Sequence, residues 1–210
     1  MERVRASQRS RIQLNVAIVF GVCSAVAWAE AEPLQPPQAV PPHNRADLKE
    51  PPPRPAASDA AEKAKRLFEA ILADAPERAE DVFFPRAAFL LVKDIPDPGK
   101  YYDRLKRRFE SDIHTLHASL ADPANARFER FELANRGGFV RVREEGNRLP
   151  YWASRHSFIH YRVAGKAQRM EVRVLITWDD RWYVIHLNEF RTGNVEQPPS
   201  ARPAVKLTTP

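Results

Sequence analysis

The chain has 210 residues and carries 33 Lys and Arg against 27 Asp and Glu, a formal charge of +6. Arg3, Arg5, Arg9 and Arg11 fall in the first 29 residues against Glu2 alone, so the remainder holds 29 basic and 26 acidic residues with the signs interspersed. Nucleic-acid binding calls for clustered basic residues, so no nucleic-acid partner is expected. The single Cys23 also lies in the leading segment, which leaves the rest of the chain without disulfides.

Residues 1–29 have the three parts of a secretory signal: a basic start, the apolar run 16–29 and Ala27-Trp28-Ala29 at its end. The run is shorter than the roughly 20 residues a membrane span needs. Cleavage after Ala29 is expected, giving a periplasmic or secreted protein with no stable membrane anchor. Val22 before Cys23 does not suit a lipoprotein signal. Residues 30–57 are rich in proline, which favours extended polyproline conformation, and they read as a semi-rigid spacer.

Residues 58–192 read as one α+β domain. Asp59 and Glu62 have capping-box spacing, and Ala61, Ala64, Leu67, Phe68, Ile71 and Leu72 repeat at helical intervals. Pro85 opens a short second helix. Asp97-Pro98 caps a long third one with the stripe Tyr101, Tyr102, Leu105, Phe109, Ile113, Leu116 and Leu120. From residue 127 the period becomes two. Strands are expected at 128–133, 139–144, 152–163, 170–178 and 182–189, with Asn135 to Gly138 and Ala164 to Lys166 as turns. The fold class is therefore α+β, with N-terminal helices packed on a curved, cone-like antiparallel β-meander. Residues 193–210, polar and with four prolines, read as a disordered tail.

Parity fixes an expected register for the last hairpin. With Asp179-Asp180 as a two-residue loop, Ile176 meets Tyr183, Val174 meets Ile185 and Val172 meets Leu187 on an apolar face directed at the helices. Thr177 with Trp182, Leu175 with Val184, Arg173 with His186 and Glu171 with Asn188 then face outward. That outer face, through Leu175, Val184 and Trp182, is the surface offered for a homodimer.

The long helix at 98–121, the aromatic hairpin from Trp178 to Leu187 and the closing strand together resemble the nuclear-transport-factor-2-like superfamily. The resemblance covers residues 58–190. It implies a strongly curved sheet wrapped around the long helix. It leaves function open among isomerases, cyclases, dehydratases, ligand binders and dimerisation modules. The enzymes of that superfamily commonly hold an Asp–His pair or a lone Asp in the cone, and no such pair is matched here.

Beside the apolar stripe of the long helix, Lys106, His117, Glu110, Asp103 and His114 occupy a flank roughly 20° to 100° from Ile113. A ridge there would line the cavity mouth, with His117 as a general base and Glu110 as its carboxylate orienter. The competing reading is a solvated ladder of i+3 and i+4 pairs. His114 and His117 share a face, but a metal site needs a third ligand and none is evident, so no metal is expected. His156, His160, Arg162, Arg173 and His186 would line an anionic pocket if the outer face were concave. Lys106, His114, Arg173 and His186 are accordingly the candidate ligand-binding residues. Gly-rich phosphate loops, nucleophile elbows and a cysteine nucleophile are absent from the sequence, and no cofactor is expected. Three readings stay open: an exported, non-catalytic domain binding a small molecule or an exported protein; a small-molecule enzyme of isomerase, cyclase or hydratase type using a His base; and an envelope scaffold tethered by a retained signal.

Overall fold

A computed structural model describes residues 39–188. The candidate signal, the first part of the proline segment and the C-terminal tail lie outside the described residues. Helix α1 spans Ala57–Ala73, α2 spans Arg86–Val92 and α3 spans Pro98–Ser119. Strands β1 (Ala126–Glu132), β2 (Gly137–Val140), β3 (Tyr151–Val163), β4 (Lys166–Trp178) and β5 (Arg181–His186) form one open antiparallel sheet. The α+β class with helices packed on an antiparallel sheet is as the sequence indicates. Among the described residues no helix is long and apolar enough to cross a membrane.

The helices follow from their stripes. Leu67, Phe68 and Ile71 of α1 and Phe109 and Ile113 of α3 are almost fully buried. Burial of one such side chain is worth about 1.5–3 kcal/mol. Asp97 caps α3 by accepting from the Lys100 N–H at 3.2 Å. Asp59 does not complete a capping box, because its carboxylate accepts from the Trp182 N–H at 2.7 Å and so ties α1 to the start of β5.

The meander differs from expectation at its first two strands. β1 and β2 do not form a hairpin; they lie in line along the same edge of the long β3. Residues 133–136 interrupt the ladder between them. Two buried serines of β3 repair the gap. Ser157 Oγ accepts from the Ala134 N–H at 3.1 Å, and Ser154 Oγ donates to the Ala134 carbonyl at 2.7 Å. Strict alternation would put residues 154 and 157 on opposite faces. His156 between them has φ of 62° and restores the match. Gly137 lies beside them, where a Cβ would come within 2.3 Å of the Ala153 carbonyl oxygen.

The proline segment also departs from the spacer reading. From Pro41 onward it packs on the sheet as a strap. Pro41, Asn44 and Pro55 are buried. The indole N–H groups of Trp152 and Trp182 donate to the carbonyls of Pro52 and Pro55 at 3.0 and 3.3 Å. Arg54 bonds Asn135 Oδ1 and the Ala134 carbonyl, both at 2.7 Å, and lies over the Trp182 ring. Asn44 donates to the Pro150 carbonyl at 2.8 Å and accepts from the Asp179 N–H at 3.1 Å. The face carrying Trp182, Leu175 and Val184, offered by the sequence for a homodimer, is thus buried within the chain itself.

Replacing Asn44 by Ala strands one buried N–H and one carbonyl. Each such loss costs roughly 1–3 kcal/mol. Asn44→Ala is expected to lower the unfolding free energy in urea by about 2–4 kcal/mol in total, whereas Arg45→Ala, at an exposed ion pair with Asp47, leaves it within about 0.5 kcal/mol.

Candidate functional site

The ridge on α3 does not face the sheet. His117 Nδ1 is hydrogen-bonded to the Ile71 carbonyl at 2.9 Å, and His114 Nδ1 to Asp74 Oδ1 at 2.6 Å. Lys106 lies 3.7 Å from both Glu80 and Glu110, and Asp103 pairs with Arg86 at 3.5 Å. These contacts clamp α3 to the C-terminal end of α1 and to the segment leading into α2. The expected pairing of His117 with Glu110 is replaced by the Ile71 carbonyl on one side and Lys106 on the other. The polar flank of α3 borders other helical segments because α1 and the 3-10 turn at Pro76–Val82 pack there.

The opposite flank of α3 borders a pocket. Tyr101, Leu105, Arg108 and Asp112 lie roughly 80° to 140° from Ile113 in the other direction. Tyr101 and Leu105, with Phe89 and Lys93 at the end of α2, form one wall of a cavity of about 80 Å³. Tyr151, Arg155, Val174, Ile176, Ile185 and His186 form the sheet wall, and Glu145 closes the rim.

His186 reaches this pocket through a β-bulge. The pairing of β4 with β5 runs Ile176 to Tyr183 and Leu175 to Val184 as expected, then shifts to Val174 opposite His186. One extra residue on β5 re-aims the side chains beyond it, and Ile185 and His186 both line the cavity. The expected pair Arg173–His186 on the outer face is therefore not formed as a register pair. Among the other candidates for an anionic pocket, His156 bonds Glu171 and His160 bonds Glu132. Arg162 bonds Glu129, and Arg173 lies 3.7 Å from Glu171. Carboxylates already serve these four.

The rim is built by a strained turn. Arg143, Glu145 and Gly146 have φ of 70°, 50° and 65°, and non-glycine residues in this region are uncommon and concentrate at functional sites. The Asp94 N–H bonds the Gly146 carbonyl at 2.7 Å and the Arg148 N–H bonds the Val92 carbonyl at 2.8 Å, so the turn is fastened to the end of α2. The Glu145 carboxylate accepts from Arg155 and from the Tyr151 hydroxyl, the latter at 3.0 Å. Buried Asn147 donates to the same hydroxyl at 3.0 Å, while its Oδ1 has no partner among the described residues.

Lys93 is the least satisfied cation here. Among the described residues its ammonium makes one long hydrogen bond, 3.3 Å to the Glu145 carbonyl, with the Tyr151 ring centroid at 5.8 Å. Burial pushes its pKa down to about 8; the Glu145 charge opposes this and Arg155 reinforces it. His186 is pushed down to about 3, first by burial and then by Arg108, Lys93, Arg155 and Arg173. It is neutral at physiological pH because it is buried, and the neighbouring cations add to the effect. Burial, helped by Glu145, pushes the Tyr151 hydroxyl well above its ordinary range. Among the described residues no three His, Cys, Asp or Glu side chains gather to hold a metal.

Of the residues singled out by sequence, His186 lines the pocket and Arg173 acts on it through its charge. Lys93, Glu145, Tyr151 and Arg155 were not singled out. A readable sign existed for Arg155, which shares the inward parity of Ala153 on an otherwise apolar face. A charge at such a position needs a reason.

The shifted groups set a pH dependence of stability. Lys93 falls from 10.5 to about 8 on folding, so between those values the unfolded chain holds more protons and stability rises with pH. His186 falls from 6.5 to about 3, so stability also rises with pH across that lower window. Urea unfolding across pH is expected to show both slopes. Lys93→Met removes about half of the upper one, Lys63 being lowered to about 8 as well and supplying the rest, and stabilises the fold at pH 7 by roughly 1–3 kcal/mol, while His186→Gln flattens the lower one. No family model, curated protein or solved structure matches the chain.

Proposed function

We propose that this is an exported, non-catalytic binding domain that takes the carboxylate of a small ligand in the pocket between α2, α3 and the sheet. The observation that carries the reading is the half-satisfied Lys93 ammonium beside Arg155 in the lining of a small cavity. Arg155 supplies a planar donor fork beside it. The Glu145 carboxylate at the rim is already engaged by Arg155 and the Tyr151 hydroxyl.

Size narrows the ligand. Pockets for drug-sized molecules run to about 300–1,000 Å³, whereas about 80 Å³ accommodates a carboxylate and a carbon or two. Phe89, Leu105, Val174 and Ile176 give those carbons an apolar lining. The resemblance to the nuclear-transport-factor-2-like superfamily points the same way, since that superfamily includes ligand binders. Export rests on the pattern of residues 1–29, and small organic acids are available outside the cytoplasm.

Acetate and lactate titrated into ¹⁵N-labelled protein test the reading. The best small ligands gain about 1.5 kcal/mol per heavy atom, so acetate binds no tighter than roughly tens of micromolar. Saturable shifts centred on Glu145, Gly146 and Arg155 are expected, weakened about tenfold or more in Arg155→Ala and diminished by added salt. Shifts that stay linear, or that persist unchanged in Arg155→Ala, would overturn it.

A further inference from the structure

Resting on that carboxylate-binding reading, we infer that Lys93 is a reactive amine that captures small 2-oxo acids and aldehydic acids as a reversible imine. Its position sets it apart from other lysines. The Lys93 side chain ends in an open pocket that also presents Arg155, and its ammonium has one long acceptor instead of a carboxylate partner. A carboxylate seated on Arg155 brings the adjacent carbonyl carbon towards the lysine nitrogen. A lysine in a partly dry site has a larger neutral fraction than a solvated one, which is what nucleophilic attack needs. Here burial acts in that direction and Arg155 adds to it, while the Glu145 charge opposes them.

The reaction balances without any redox partner. The neutral Lys93 amine forms a C–N bond to the carbonyl carbon. Two protons leave the nitrogen and the carbonyl oxygen departs with them as water, so an imine replaces the C=O. Water adds back to release the ligand. The ring of His186 lines the same cavity.

Lys63 is a built-in comparison. Burial also lowers its pKa to about 8. It is only 5% exposed, and its ammonium is pressed on the Tyr183 ring with 3.2 Å to the centroid. If low basicity alone decided reactivity, both lysines would react. If the pocket decides it, only Lys93 would.

The test incubates the full chain with pyruvate or glyoxylate and cyanoborohydride, followed by intact mass and peptide mapping. Lactate serves as the carbonyl-free control for binding. The expected result is one reduced adduct per chain, mapped to Lys93, absent in Lys93→Met and cut at least tenfold in Arg155→Ala. Circular dichroism of both variants confirms that they fold. Saturable lactate binding without an adduct overturns the imine and leaves the carboxylate reading standing. Loss of both overturns both. Adducts at Lys63, or spread over surface lysines, also overturn the assignment.

Discussion

Two indole N–H groups meeting two proline carbonyls hold this domain in its shape. A polyproline-like strand has no internal hydrogen bonds, so its carbonyls need outside donors. Trp152 and Trp182 supply them from the sheet, at Pro52 and Pro55. The two tryptophans would otherwise expose large apolar rings on an outer sheet face. The strap covers the rings and the rings satisfy the strap. The same stretch leads directly into α1, whose Asp59 fixes the start of β5. Strap, first helix and last strand are therefore one mechanical unit, and the outer face of the sheet serves the fold instead of a partner.

The opposite face carries the pocket beside α3, and its shape comes from departures from ideal strands. The sheet would be a regular apolar floor if every strand kept its alternation. Instead β5 bulges at Ile185 and turns His186 inward, His156 adopts a left-handed backbone, and the rim turn places Glu145 at positive φ. Each departure costs on the order of 1–3 kcal/mol where the backbone is strained. The surroundings hold each one in place: serine hydroxyls at the β1–β2 gap, and the Asp94–Gly146 and Arg148–Val92 backbone bonds at the rim. Irregularity gathers where α2 ends against the sheet, which is also where the cationic side chains converge.

Regular elements were legible in the sequence, and these irregular ones were not. The stripe of α3, the Asp97 cap, the opening of α2 at Pro85 and the Asp179-Asp180 loop all follow from local chemistry, and each appears in the structure. Parity carried the hairpin correctly for three pairs beyond its turn, Thr177–Trp182, Ile176–Tyr183 and Leu175–Val184, then failed at the bulge. A single inserted residue leaves no mark in a run such as Tyr183 to Leu187, where apolar residues occupy both parities. The proline segment misled for a related reason. Composition excludes helix and strand but says nothing about whether donors elsewhere will bind the exposed carbonyls. On α3, the helical wheel set out a polar flank on one side of the stripe and left the other side unread. It had no means of telling which flank meets α1 and which meets the pocket.

The histidines show how burial and charge select among chemically equivalent residues. Six are present, and His114, His117, His156 and His160 each have a partner that accounts for their position: a carboxylate, or a backbone carbonyl in the case of His117. Such pairings secure surfaces and helix ends. His186 differs in its surroundings: burial first, and then the neighbouring cations, keep its ring neutral. Lys93 beside it is half-buried, and its ammonium has a single long acceptor. A fold selected only for stability would replace that lysine with an apolar side chain of similar length, since isolated buried charge is destabilising. Its place at the mouth of a cavity, beside a guanidinium and a neutral imidazole, makes sense when an incoming carboxylate completes the set.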